Sequence, residues 1–291
     1  MDFLIPLLIS GVVTGSAYGL VALGKTIIFK TTDTVNFALA DIATLAAYVA
    51  VSAMRGGLPV WGGLVLAVLV AGIAGILTNW LLLKRLVRNK HRIFVALVIM
   101  IGLGLVIRAG IGSFWGHDPV KFPPLVEGSV MVAGISLPLN KLLATGMAVS
   151  AMLFVAWFFT HTTFGVAMRA SAEDPFAARL VGIKPELIAA IAWFIGCGLA
   201  AIAIFFLAAD TSLSPTFALV PLFRALAGVF LGGLTSMPGA VLGGFAIGML
   251  DNLAAGYVSA SFRDTIVFSV IVLVLFIRPE GFLGKVRAER V

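Results

Sequence analysis

Apolar residues fall in runs of about 20 along this chain, and charged residues lie mainly in the short stretches between the runs. A helix needs a run of that length to cross the hydrocarbon core of a membrane, whereas strands of a membrane barrel alternate apolar and polar residues. The runs here do not alternate, so they predict helical spans. These cover residues 3–23, a run that ends near 51, then 60–83, 93–107, 142–159, 187–208, 217–253 and 265–277.

The run at 217–253 is too long for one crossing, and we divide it at 232–239, where glycine and proline end one helix and begin another. The result is nine spans, or eight if one run is re-entrant, since glycine-rich breaks at membrane depth are tolerated where they line a cavity. The predicted fold is an all-α polytopic membrane protein. It is a single transmembrane domain over residues 1–291, a bundle of about eight or nine transmembrane helices.

Composition and charge agree with this class. Hydrophobic residues make up 61% of the chain and charged residues 11%, against about 25% charged in soluble domains. The net charge of +7 lies between the spans, so the positive-inside rule explains it better than nucleic-acid binding does. The basic cluster at 84–92 and the basic C-terminus are predicted to be cytosolic, with the N-terminus outside. The segment 114–138 is predicted to be an external loop with a small hairpin at 129–137.

Glycines at a spacing of four form a smooth stripe on the first span, where another helix can approach closely. Helix packing is predicted at Gly11, Gly15 and Gly19 and, in the divided run, at Gly232, Gly233, Gly239, Gly243 and Gly244. Residues 19–26 also match the phosphate-binding pattern G-x-x-x-x-G-K-[ST]. That motif works only as a loop between a strand and a helix of a soluble domain, so inside an apolar span the match is coincidental.

Polar residues inside or at the edge of the apolar runs are candidates for function. Asn36, Asp41, Arg224 and Asp251 are costly in lipid, and such groups usually face the bundle interior or a water path. Arg224 and Asp251 can pair with each other, while Asp264, near the exposed end of the last span, is expected to matter less. For Asn36 and Asp41, a turn at the membrane interface is an equally good interpretation.

The stretch 162–184 predicts a water-exposed helical segment between two spans. Asp174 and Pro175 are typical of a helix start, and Gly182 is typical of a helix end. Between them, apolar residues fall on one side of a short amphipathic helix and Arg179 points away: Phe176, Ala177, Leu180 and Val181. Because a short isolated helix is marginal in water, this one is expected to pack on something. The alternatives are an ordinary connecting loop and a docking element for a soluble cytosolic partner.

Signatures of catalysis are missing from the sequence. The three histidines, His91, His117 and His161, lie in loops or at span ends and form no H-E-x-x-H pair, and no G-x-S-x-G nucleophile elbow occurs. Carboxylates within the spans are too few and too separate for a membrane hydrolase dyad. The sequence therefore favours a transport protein over an enzyme.

Five motifs in a fixed order cover nearly the whole chain. They are Tyr18-Gly19-Leu20 with Ala22-Leu23-Gly24, Val35-Asn36-Phe37-Ala38, Phe164-Gly165 with Met168-Arg169-Ala170 and Gly182-Ile183, Gly232-Gly233-Leu234 with Gly243-Gly244, and Arg278-Pro279-Glu280-Gly281. With these motifs the chain resembles the membrane permease subunits of branched-chain amino acid ABC transporters, the shorter of the two homologous permeases.

The resemblance implies an importer of the bacterial inner membrane with several partners. They are a second homologous permease, two cytosolic ATP-binding subunits and an external substrate-binding protein. The partners would bind ATP, so no cofactor or metal is expected here. The resemblance makes 162–184 a cytosolic coupling loop with a coupling helix, and implies ATPase-coupling roles for Gly165, Arg169, Ala170, Glu173, Asp174, Phe176, Ala177, Ala178, Arg179 and Gly182. It implies a translocation path lined by Tyr18, Asn36, Asp41, Arg224 and Asp251.

Departures from the family pattern leave the solute open. Leu39-Ala40-Asp41 stands where the family often has His-Gly-Glu, and Lys25 replaces a commonly apolar residue. A permease of the same type for urea, a short amide, a sugar or an aromatic acid is therefore an alternative. A stand-alone ion-coupled carrier is another, with Arg224 and Asp251 as its ionisable groups. The amphipathic cytosolic helix argues against that carrier, which needs no docking element.

Overall fold

A computed structural model of the chain describes residues 4–83, 92–132, 135–278 and 280–284. Helices dominate the described ranges. They are α1 (Leu4–Thr32), α2 (Leu39–Arg55), α3 (Val60–Thr78, continued by a π-helical turn at Asn79–Leu83), α4 (Arg92–Trp115), α5 (Leu139–His161), α6 (Thr163–Glu173), α7 (Pro175–Leu180), α8 (Pro185–Asp210), α9 (Leu219–Gly232), α10 (Met237–Tyr257) and α11 (Arg263–Ile277). The expected basic cluster lies mostly outside the described residues, as do 285–291.

Within the described ranges, seven helical segments are long and apolar enough to cross a membrane, so the chain is a multi-span helical membrane protein. They are α1, α3 with its π-helical turn, α4, α5, α8, α10 and α11 with its preceding turn. The two remaining predicted spans are present as shorter helices, α2 with 17 residues and α9 with 14. The predicted division of the run at 217–253 is correct, because α9 ends at Gly232 and Ser236 caps α10 by accepting a bond from the Gly239 amide, 3.1 Å away.

Two predicted span ends were wrong, and for the same reason. α1 continues to Thr32 instead of ending at 23, and α4 continues to Trp115 instead of 107. Each predicted end lies just before a charged residue, Lys25 or Arg108. Both side chains contact other polar groups inside the bundle, so neither helix has to end where its charge appears.

Glycine contacts place α1 between α10 and α8. A Cβ on Gly15 would lie 2.9 Å from the Phe245 Cα of α10, and one on Gly24 would lie 2.5 Å from the Gly196 oxygen of α8. The backbones thus approach at distances that only glycine permits, as predicted for the stripe on the first span. The eight residues of the phosphate-loop pattern lie in this continuous helix, so the motif match is coincidental.

The turn between α9 and α10 is closed by the C-terminal segment. The amides of Phe282 and Leu283 donate to the carbonyls of Leu231 and Gly232, at 2.9 and 3.0 Å. These carbonyls belong to the last turn of α9 and have no partner within the helix. Gly233, at φ +105°, leaves room for the segment, since a Cβ there would lie 2.5 Å from the Gly284 amide nitrogen. Two of the sequence motifs, near residues 233 and 281, therefore form one structural unit.

The predicted hairpin is present at the opposite end of the bundle. Strands β1 (Ser129–Val132) and β2 (Ile135–Pro138) pair antiparallel, and the turn residues 133–134 lie outside the described ranges. Val120, in the same connection, forms a β-bridge with Leu213 between α8 and α9. We call this the hairpin end and the other the α7 end.

The shorter helices α2 and α9 begin inside the bundle. Lys25 lies seven residues before the end of α1, about 10 Å along the helix. Its Nζ donates to the Asn36 carbonyl oxygen at 3.3 Å, so the chain turns back along α1 before α2 starts. Ala40, in the first turn of α2, packs with Ala218 and Leu222 at the start of α9. The N-termini of the two helices therefore meet within the protein.

Alanine substitution tests the glycine contacts of α1. We expect Gly15→Ala to lower stability by about 1–3 kcal/mol, because its Cβ would overlap the backbone of α10. Gly146→Ala is the matched control, since a Cβ there meets nothing within 4 Å. Thermal unfolding of the purified protein, followed by fluorescence-detected size exclusion, measures both. Equal melting temperatures for the two variants would contradict the assignment.

Candidate functional site

The segment 162–184 is anchored to the end of α5. Thr162 donates its hydroxyl to the Phe158 carbonyl at 2.6 Å and accepts the Gly165 amide at 3.0 Å, which caps α6. A Cβ on Gly165 would lie 2.5 Å from the Phe159 oxygen, so glycine is required where α6 folds back. Arg169 donates to the same Phe159 carbonyl. Two predicted coupling residues, Gly165 and Arg169, thus fix α6 against the end of a spanning helix.

The predicted start and end of the short helix α7 are correct. Asp174 Oδ1 accepts the amides of Phe176 and Ala177 at 2.9 and 3.0 Å, and Pro175 occupies the first turn. Gly182 has φ +84°, and its amide donates to the Arg179 carbonyl at 3.1 Å. Side-chain capping compensates for the small number of internal hydrogen bonds in so short a helix.

The apolar side of α7 is exposed. Phe176, Leu180 and Val181 have 70%, 75% and 74% of their surface accessible, while Ala178 is buried. Within this chain the helix packs through Ala178, while its apolar side is left uncovered in the described structure. Only Ala178 turns toward the bundle, because α7 is too short for a wide face. We call Phe176, Leu180 and Val181 the α7 apolar face.

The remaining predicted coupling residues lie in α7 or next to it. Arg179 forms an ion pair with Glu186 of α8 at 2.9 Å, and both side chains are about half exposed. Glu173 is exposed at the end of α6, and the Ala170 carbonyl accepts the Asp174 amide at 3.0 Å. Pairing of Arg179 with Glu186 and packing of Ala178 connect α7 to the spanning helix α8.

The predicted pair of Arg224 and Asp251 is present within a larger group, the Asp251 cluster: Tyr18, Arg224, Asp251, Arg263 and Asp264. Arg224 Nε donates to Asp251 at 2.8 Å, and Arg263 donates to both carboxylate oxygens of Asp251 at 3.1 and 2.6 Å. Tyr18 adds a longer bond of 3.4 Å. The cluster joins α1, α9, α10 and α11 through one fully buried carboxylate.

Asp264 differs from its predicted role. Its side chain is 70% exposed, as expected, but it accepts a hydrogen bond from Arg224 at 3.0 Å. Asp264 and Arg263 were missed as cluster members because they precede the last apolar run and look like ordinary flanking charges. Two positive and two negative side chains are thereby brought together.

The second group, the Asp41 cluster, consists of Lys25, Asn36, Asp41 and Arg108. Arg108 of α4 binds Asp41 with two parallel bonds of 2.7 and 2.9 Å, and Asp41 is fully buried. Gly104, one turn before Arg108, makes room, since a Cβ there would lie 2.5 Å from Asp41 Oδ2. Arg108 was missed because the span was ended before it, although a charge within an apolar run is itself a signal.

Lys25 and Asn36 complete this cluster. Lys25 is almost fully buried, and its Nζ lies 5.5 Å from the centre of the Phe37 ring. The carboxamide of Asn36 is fully buried, and neither of its polar atoms has a partner among the described residues. The five predicted path residues are thus divided, with Tyr18, Arg224 and Asp251 in one cluster and Asn36 and Asp41 in the other.

Substitutions in the Asp251 cluster test its role in stability. We expect Asp251→Leu to cost about 3 kcal/mol or more, because it removes the buried carboxylate that both arginines share. Arg224→Leu leaves Asp251 paired with Arg263 and should cost less. Asp264→Leu, at a mostly exposed side chain, should cost under about 1 kcal/mol. Melting temperatures measure all three, and strictly additive losses in the Arg224→Leu/Asp251→Leu double variant would contradict direct pairing.

Comparison with known proteins agrees with this architecture. A family model described as the permease component of branched-chain amino acid transport systems matches residues 7–277. The permease protein LivH of Escherichia coli K12, named for high-affinity branched-chain amino acid transport, is 31% identical, over 97% of this chain and 96% of its own length. BraD of Pseudomonas aeruginosa, named for the same kind of transport, is 26% identical, over 98% and 97%.

Two more distant proteins share less. The fructose import permease FruF of Bifidobacterium longum is 24% identical, over 94% of this chain and 77% of its own length. A solved complex, PsaBC from Streptococcus pneumoniae with Fab, is 13% identical, with a TM-score of 0.51 over 93% of this chain and 91% of that chain. That likeness concerns the fold alone. On the family match and the near full-length similarity to LivH, the chain belongs to the family of permease components of branched-chain amino acid transport systems.

Proposed function

We propose that this chain is the permease subunit of an ATP-driven importer for branched-chain amino acids or related small solutes. It would act with a second homologous permease, two cytosolic ATP-binding subunits and an external substrate-binding protein. Family membership and the names of the relatives support this proposal. Amino acids are favoured over sugars because LivH is 31% identical to this chain and the fructose permease 24%.

One structural observation carries the proposal: the α7 apolar face is exposed although α7 itself is held firmly. A capped helix with a large aromatic side chain pointing outward is suited to fill a cleft in a soluble partner. Exposure of an apolar face to water is unfavourable, so covering it with a partner contributes favourable free energy to binding. The partner proposed here is an ATP-binding subunit.

The contacts of α7 explain how a movement of that partner would reach the membrane helices. α7 touches α6 and α8, and α6 in turn touches α1, α5 and α8. Arg169 and Thr162 prevent α6 from moving independently of α5. When ATP closes the two ATP-binding subunits on each other, α7 would move with them and turn these helices as a rigid group. The permease would then alternate between two packings of similar energy, facing outward and inward.

The stand-alone carrier is disfavoured by the state of its proposed ionisable groups. Arg224 and Asp251 bind each other, and Arg263, Asp264 and Tyr18 occupy further bonding positions around them. A coupling ion would have to displace these partners. The cluster is therefore better suited to joining helices than to binding and releasing an ion.

Substitutions on α7 test the coupling role. We expect Phe176→Ala to weaken docking by about 2 kcal/mol and Asp174→Ala to cost the helix its cap, about 1 kcal/mol. In proteoliposomes with the partner permease, both ATP-binding subunits and the binding protein, stimulated ATP hydrolysis and uptake should fall together. Co-purification of the ATP-binding subunits locates the defect.

The matched control is Phe276→Ala, which removes an exposed phenylalanine from α11. It should keep wild-type coupling and co-purification. Full stimulated hydrolysis and full uptake from a variant without the Phe176 and Arg179 side chains would contradict the docking role. That result would favour the stand-alone carrier.

Orientation is a separate prediction. The basic residues at 84–92 and 278–290 predict that the α7 end lies in the cytosol and the N-terminus outside. In a Cys197→Ser background, a cysteine at the exposed Pro124 should react with an impermeant thiol reagent on intact cells. A cysteine at Leu180 should react only after permeabilisation. The opposite labelling pattern would exclude a cytosolic docking site on α7.

A further inference from the structure

Among the described residues, the Asp41 cluster holds two basic side chains, Lys25 and Arg108, for one carboxylate. Asp41 is bound at both oxygens by Arg108, so its charge is already matched. Lys25 lies in the same cluster, buried, and among the described residues its Nζ donates only to the Asn36 carbonyl, at 3.3 Å. An ammonium group has three donors. Lys25 thus brings a second basic group with unused donors into the bundle.

Two helix N-termini meet beside Asp41 of this cluster. The first turns of α2 and α9 meet at Ala40, Ala218 and Leu222, and Asn36 lies three residues before α2 begins. A helix N-terminus presents free amides and a partial positive charge. The N-caps of α2 and α9, Ala38 and Ala218, make no side-chain capping bond in the described structure, as is also true of α3, α5, α8 and α11.

One polar side chain at the same place has no partner in the described structure. Asn36 is fully buried, and its Oδ1 and Nδ2 have no hydrogen-bond partner in the described part of the chain. A buried amide that is left without hydrogen bonds is unfavourable. The unused donors of Lys25 and of Asn36 Nδ2 favour a ligand that accepts hydrogen bonds, and an anion would also stabilise the charged form of Lys25.

We propose that Lys25 and Asn36, at the meeting point of the α2 and α9 N-termini, bind the carboxylate group of the solute during transport. Lys25 supplies the charge, and the Asn36 amide and the helix N-termini supply further donors. Asp41 is occupied by Arg108, so the site selects for the carboxylate and not for an amine. The inference rests on the importer function proposed above and assigns Lys25 as a residue that determines solute class.

Direct binding tests the site. The assembled complex of this chain with its partner permease and ATP-binding subunits is placed in lipid nanodiscs, without ATP or binding protein. Radiolabelled leucine is the probe, and leucinamide and 4-methylpentanoate are the competitors. We expect leucine and 4-methylpentanoate to bind at least about tenfold more tightly than leucinamide, because one bond to a charged group is lost.

Variants of Lys25 connect this selectivity to the site. Lys25→Met should reduce leucine affinity about tenfold, leave leucinamide unchanged and keep the complex assembled, because Asp41 stays paired with Arg108. Lys25→Arg should retain the preference for the carboxylate. Thr44→Val is the matched control. Thr44 is buried one turn after Ala40 in α2, and in the described structure its hydroxyl bonds only to the Ala40 carbonyl.

Three results would overturn the proposal: no saturable leucine binding to the wild-type complex, equal binding of leucine and leucinamide, or unchanged selectivity in Lys25→Met. Equal affinities of leucine and 4-methylpentanoate support a site that binds any carboxylate. Tighter binding of 4-methylpentanoate supports it with carboxylic acids as the preferred class. The binding assay needs no ATP hydrolysis, so the two proposals can fail independently. Leucine binding can be absent while the α7 substitutions still uncouple the importer, and the α7 substitutions can be without effect while leucine still binds.

Discussion

The close approach of α1 to α8 and α10 is the constraint on which the rest of the structure depends. Gly15 faces α10 and Gly24 faces α8 at distances where a side chain would overlap the neighbouring backbone. In a membrane, helices gain little from hydrophobic burial against each other, and close van der Waals packing holds them together. The same approach brings two polar side chains of α1 to their sites, Tyr18 to Asp251 and Lys25 to Asn36.

At the α7 end, polar contacts and not close helix packing hold the segment in place. Hydrogen bonds from Thr162 and Arg169 to the last turn of α5 fix α6, and the Asp174 carboxylate fixes the start of α7. The exposed aromatic ring of Phe176 is therefore presented by a well-anchored support. Presenting an anchor side chain in a fixed position reduces the entropy lost on docking.

The sequence predicted the elements better than it predicted the contacts between them. Apolar runs mark spans because their length must match the membrane, and Asp174, Pro175 and Gly182 mark a helix because capping is local. Partners of buried charges are set by three-dimensional packing, so Arg108 and Arg263 went unrecognised. The same limitation misplaced two helix ends, since Lys25 and Arg108 resemble the end of a span when their partners are unknown.

Charge balance distinguishes the two polar clusters. In the Asp251 cluster two arginines and two aspartates cancel, and the buried carboxylate is surrounded by donors from three other helices. A solute would therefore add few hydrogen bonds to Asp251, and movement of a neighbouring helix away from it would break existing ones. The Asp41 cluster has two basic side chains for one carboxylate, and a buried amide beside it lacks a partner within the described residues. Since burying an unbalanced charge is costly in a membrane, the second cluster is the one whose free energy a bound anion would lower.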